Sequence, residues 1–113
     1  VKYFDISEFD CKHTGKNKMD PLFLSRLDSL RDICNFSFVI TSGYRDLSHP
    51  VETVKSKGGT HTQGIAADIA VNFGSQRYTI VREAMKLGFT GIGIADSFIH
   101  VDLRKTTPVV WAY

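Results

Sequence analysis

Cysteine is scarce: Cys11 and Cys34 are the only two in 113 residues. Two thiols do not make a disulfide-rich scaffold. Both sit in apolar contexts, EFDCK and RDICNF, and read as buried thiols. A disulfide between them, or a metal role for Cys11 with His13 two residues on, stays open. No second C-x-x-C or H-x-x-x-H completes a zinc site around that C-x-H pair. A long apolar run is missing too; a transmembrane helix needs about 18 such residues, so no membrane insertion is expected. The opening VKYFDISEF carries acids and no apolar stretch, so no signal peptide is expected in it. Nor does one sign of charge dominate. The 14 Lys and Arg against 12 Asp and Glu leave +2, too little to argue for nucleic acid. That balance would still tolerate an anionic polymer such as a cell wall. Repeats, low-complexity segments and linkers are absent. What remains suits one domain over residues 1–113 with one core, expected to be a monomer.

The elements follow from local signals. Residues 1–10 read as an extended lead-in and 11–18 as a loop. Asp20-Pro21 is a helix start, with Asp as N-cap and Pro at the first position. Phe23, Leu27, Leu30 and Cys34 recur at helical spacing, and the helix should end near Asn35. Phe36 to Thr41 is aromatic and β-branched, hence a strand. Residues 46–59 read as a loop with one helical turn after Pro50. Ile65 to Val71 is a second strand, with Ala66, Asp68 and Ala70 on one face. Ser75 should cap a second helix with Tyr78, Val81, Ala84, Met85 and Leu87 on its apolar side, stopped by Gly88. Gly91–Ile94 and Phe98–Leu103 form a hairpin through the tight connection 95–97. In the last strand Phe98, His100 and Asp102 share a face. The tail TTPVVWAY should pack back on the domain, with Trp111 and Tyr113 as a clasp. The expected class is α+β: two main helices against a mainly antiparallel sheet, with a polar cleft on the face opposite the core.

His61, Asp68 and His100 then ask for one explanation. A catalytic zinc takes three ligands from His, Asp, Glu or Cys and keeps a fourth position for water. It also lowers the pKa of that water toward about 7. Two imidazoles and a carboxylate meet the need. By spacing alone the matter stays balanced, since a histidine in a glycine-rich loop and an aspartate on a strand both have structural uses. Gly58 and Gly59 let the chain present His61, Gly64 allows a turn, and Ala66 and Ala70 leave room beside Asp68.

The pattern TSGYR, then THTQGIAADI, then FIHVDLR resembles the zinc-dependent D-Ala-D-Ala-type peptidase family. It is closest to the small single-domain branch found in phage endolysins and cell-wall enzymes, which shares its fold with the hedgehog signalling domain. The family motif is S-x-H-x-x-G-x-A-x-D followed by H-x-D or H-x-H; here Gly59 takes the place of its Ser. The resemblance implies one zinc ion held by His61, Asp68 and His100. It implies that Arg45 meets the substrate's carbonyl oxygen or carboxylate, with Ser42 and Tyr44 near the substrate. Many relatives carry an acid three residues before the last zinc histidine, where this chain has Ser97. Asp96, one residue earlier, is the candidate general base, though it is also a natural turn former. Asp102 is its competitor, or else the acceptor that fixes an imidazole tautomer. Where H-x-H relatives have a helper histidine, this chain has Phe98. The implied reaction is hydrolysis of a bond in the peptidoglycan stem peptide, L-Ala–D-Glu (endopeptidase) or D-Ala–D-Ala (carboxypeptidase). A phage-type lytic enzyme acting at the bacterial cell wall is the expectation. The alternatives are a zinc-stabilised, non-catalytic binding or assembly module and a metal-free structural domain.

Overall fold

The computed structural model describes residues 1–53 and 59–113. Gly58 and the later part of the 46–59 loop thus lie outside the described residues. Eight elements carry the fold: α1 (Pro21–Cys34), β1 (Ile40–Ser42), α2 (Pro50–Thr53), β2 (Ala66–Ala70), α3 (Gly74–Lys86), β3 (Gly91–Ile94), β4 (Phe98–Asp102) and β5 (Val109–Ala112). The sheet order is β1-β2-β4-β3-β5. Every pairing is antiparallel except β3 with β5, which run parallel.

α1 begins at Pro21, whose missing N–H is one a helix start leaves unbonded anyway. Asp20 occupies the N-cap position with extended backbone but makes no side-chain cap bond. Asn35 ends the helix in the left-handed region, its N–H donating to the Arg31 carbonyl at 3.1 Å. The buried side of α1 is Phe23, Leu24, Leu27, Leu30 and Cys34. It shares one core with Ala67, Ile69, Ile99 and Val101, the inward residues of β2 and β4. Leu27 is wholly enclosed in this layer. Leu27→Ala is expected to destabilise the fold by about 2–5 kcal/mol, the range for a large-to-small core change, read as a lower urea midpoint with an unchanged slope.

Several expectations shift. The lead-in is not extended throughout: Ile6–Phe9 forms a 3-10 turn, with the Glu8 carboxylate accepting the Asp5 N–H at 2.7 Å. The strand expected over Phe36–Thr41 starts only at Ile40. The last residue of its partner β2, Ala70, donates to the Val39 carbonyl, and the next N–H, that of Val71, turns to the Ser97 carbonyl. Phe36 packs instead on Phe38, and Phe38 on Phe4. Phe73, not Ser75, is the N-cap of α3. That helix buries Ile80 and Ala84, while Tyr78 and Met85 are 65% and 53% exposed. Of the expected stripe Val81, Ala84 and Leu87 do face the core, joined by Ile80, whereas Tyr78 and Met85 do not. The tail does pack back, but as strand β5 beside β3. Cys11 and Cys34 are both buried and unbridged, Cys11 Sγ accepting the Asp46 N–H at 3.3 Å.

Candidate metal centre and its cleft

The sheet's register lays one row of residues across all five strands. Ser42 stands opposite Asp68, Asp68 opposite His100, His100 opposite Gly93, and Gly93 opposite Trp111. Directly opposed residues of neighbouring strands project to the same face. Strand alternation therefore sends Asp68 and His100 to one face and Ile69, Ile99 and Val101 to the core.

His61 arrives from a turn. Gly64 sits at φ +72°, and a Cβ there would lie 2.0 Å from the Lys18 carbonyl oxygen. Only glycine lets this turn close against that backbone. The His61 carbonyl accepts the Arg45 N–H at 3.2 Å, and the Gly43 carbonyl accepts from His61 Nδ1 at 2.8 Å. Hence the S-G-Y-R segment and the T-H-T-Q-G turn hold one another. With Nδ1 donating to a carbonyl, Nε2 keeps its lone pair, and it points at Asp68 Oδ1, 3.3 Å away.

His100 is oriented by the same logic, with the nitrogens exchanged. Its Nε2 donates to Asp102 Oδ2 at 2.7 Å, and its Nδ1 lies 3.0 Å from Asp68 Oδ1. Asp102 is fully buried and is held in turn by Arg104, whose Nη2 is 2.6 Å from Oδ2. This is the carboxylate–histidine arrangement that fixes a ligand's tautomer. One ligand atom from each of His61, Asp68 and His100 falls within 4.8 Å of the others, and all three residues are buried. Two neutral imidazole nitrogens and a carboxylate, each aimed at one point and each braced from behind, fit zinc. Burial raises the Asp68 carboxyl, yet hydrogen bonds with His100 and His61 outweigh it and hold the group well below the usual carboxylate range. For His100, burial acts downward, and the bonds to Asp102 and Asp68 prevail to raise it.

These residues open on a cavity of about 670 Å³. Its lining includes His61, Gln63 and Arg45 and the aromatic residues Phe98, Trp111 and Tyr113. The Trp111 ring lies 5.1 Å from the His100 ring, and the Arg104 guanidinium lies 5.0 Å from the indole. Arg45 Nη2 is 3.7 Å from Asp68 Oδ2, so its guanidinium sits at the centre's edge.

Other expected residues are placed elsewhere. Asp96 is exposed in the β3–β4 turn, where its backbone carbonyl accepts from Arg77, and it does not line the cavity. Its place two residues before β4 carries it to the far end of the hairpin. Tyr44 is buried in the core and Ser42 lies at the sheet edge; neither lines the cavity. Among the described residues Asp68 is the one carboxylate that does.

Sequence reasoning missed Arg104, Glu52 and the glycines of β3, and it read Trp111 and Tyr113 as packing alone. A Cβ on Gly91 would lie 2.2 Å from both Asp102 carboxylate oxygens, and one on Gly93 would lie 2.7 Å from the Trp111 ring. The alternation G-I-G-I opposite H-V-D was the available signal: bare positions facing bulky polar ones.

Residues 2–102 match the family model described as Peptidase M15. No curated protein matches the chain.

Proposed function

The chain belongs to the peptidase M15 family, and from that membership we propose that it is a zinc metallopeptidase cleaving a peptide bond in the stem of bacterial peptidoglycan. The observation that carries the reading is the convergence of His61, Asp68 and His100 at one cavity with Arg45 beside them. Zinc bound there would lower the pKa of a water toward about 7 and polarise a carbonyl.

The chain's own residues do the rest. His61 and His100 offer Nε2 and Nδ1 respectively, because Gly43 and Asp102 occupy their other nitrogens. Arg45 places a permanent cation where a carbonyl oxygen gains charge. A fixed donor of that kind is worth roughly 2.7–4 kcal/mol in other hydrolases. Phe98, Trp111 and Tyr113, linked by ring contacts through Tyr113, give the cavity an apolar part of its lining. Arg45, Arg104 and Lys105 give the cavity cations suited to a peptide carrying free carboxylates. Either L-Ala–D-Glu or D-Ala–D-Ala cleavage fits such a cleft, and a phage-type lytic role favours the first.

One observation supports a second reading. No carboxylate other than the ligand Asp68 lines the cavity among the described residues. A zinc-stabilised binding or assembly module needs none, whereas hydrolysis needs a group to take a proton. Digestion of purified peptidoglycan by zinc-loaded protein, with a chelated control, separates the two. New stem termini seen by mass spectrometry and lost on chelation are the expected result, and their masses name the bond. Intact peptidoglycan after treatment with protein shown to hold zinc favours the module.

A further inference from the structure

Glu52 has no part in the reading above, yet it is a carboxylate whose side chain is wholly shielded from solvent. Its Oε2 lies 3.3 Å from Arg45 Nη1, and its Oε1 accepts the Gly59 N–H at 3.0 Å. The other terminal nitrogen of the same guanidinium, Nη2, faces Asp68 at 3.7 Å. Arg45 therefore stands between two buried acids, nearer to the one that ligates nothing. Gly59 opens the turn that presents His61, so one carboxylate touches both the arginine and the base of the histidine turn. A buried charge persists only when it is paired and hydrogen-bonded.

We infer that Glu52 is a positioning residue for Arg45: it holds the guanidinium off Asp68 and aims it into the cavity, in register with the His61 turn. The inference rests on the reading in which Arg45 meets the substrate's carbonyl oxygen. Without the Glu52 charge, Asp68 is the buried carboxylate left beside the guanidinium. Closing on it would withdraw Arg45 from the substrate and engage the oxygen atoms meant for the metal.

Glu52→Gln keeps the shape and leaves an amide oxygen for the Gly59 N–H. On the stem peptide that the wild type is found to cleave, the expected result is a fall in kcat of about 10–100-fold, the usual cost of losing a residue that orients a site. KM should stay within about twofold, on the reasoning that Arg45 acts on charge developing in the transition state. Zinc content should be retained. The discriminating arm repeats the change in an Arg45→Ala background. There Glu52→Gln should lower kcat no further, because the residue it acts through is gone. An equal fall in kcat in both backgrounds would mark Glu52 as merely structural and overturn the inference, as would an active wild type unaffected by Glu52→Gln. A wild type that holds zinc and cleaves no stem peptide overturns the functional reading, and this inference with it.

Discussion

Replacing Asp68 by alanine abolishes metal retention and hydrolysis together while the protein stays folded; that is the expected result. Asp68 is the hub of the centre, with Oδ1 facing both His61 Nε2 and His100 Nδ1. It supplies the only anion among the three ligands. Losing a residue that merely orients a ligand costs roughly 10–100-fold in metal affinity, and removal of a ligand should exceed the upper end of that range. The fold should survive because Asp68's neighbours keep other partners: His100 keeps Asp102, His61 keeps the Gly43 carbonyl, and Arg45 keeps Glu52. Thermal melting with and without added zinc reads the outcome. A ligand at 100 times its Kd stabilises by about 2.7 kcal/mol. The wild type should show such a rise and Asp68→Ala none, with no peptide released by the variant. A variant that still melts higher with zinc would place the metal elsewhere.

Gly91→Ala is expected to damage the fold and the candidate centre together. The new Cβ would meet both oxygens of the Asp102 carboxylate at 2.2 Å. That carboxylate has nowhere to go, since His100 Nε2 holds it at 2.7 Å and Arg104 at 2.6 Å. Overpacking alone costs about 1–3 kcal/mol, and disrupting a buried ion pair costs about 3–5 kcal/mol when one partner is left uncompensated. A loss of about 3 kcal/mol or more in urea unfolding should come with weakened zinc binding, because His100 loses its brace. Gly93→Ala makes a useful contrast. Its Cβ meets the Trp111 ring, on a strand at the sheet's edge. The indole can swing outward, so that variant should keep zinc and change the cleft wall. Gly91→Ala protein as stable as the wild type would refute the close packing of Asp102.

The candidate metal ligands were legible through the family resemblance; the residues alone left the matter balanced, although a strand's period of two decides which face each residue takes. Asp68 and His100 fall on one face by counting alone. α1 was legible from Asp20-Pro21 and a clean stripe. The stripe of α3 was legible only in part, at Val81, Ala84 and Leu87, because Tyr78 and Met85 look apolar in a sequence while Glu83 does not. In the structure Glu83 is buried and bonded to Arg82 and Lys86. β5 gave no signal of its own: Val109 and Val110 are both exposed, so burial does not alternate. Its strand character comes from pairing with β3, which a local window cannot see. Asp96 was chosen by its distance from His100 along the chain, and the hairpin carries that distance away from the cleft. Glu52 was hidden for a related reason. A charge in a polar loop is ordinarily solvated, and only the fold turns this one inward against Arg45.

The row from Ser42 through Asp68, His100 and Gly93 to Trp111 also bears on how such a protein can change over time. Within β2 and β4, residues of the core and residues of the centre alternate one by one. Substitution at Asp68, Phe98 or His100 alters the cleft and leaves the inward residues as they were. Insertion or deletion of a single residue in either strand does the opposite: it exchanges His100 with Ile99, or Asp68 with Ile69, and so ruins both faces at once. Lineages descended from this chain should therefore accumulate point changes in these strands and confine length variation to the turns between them.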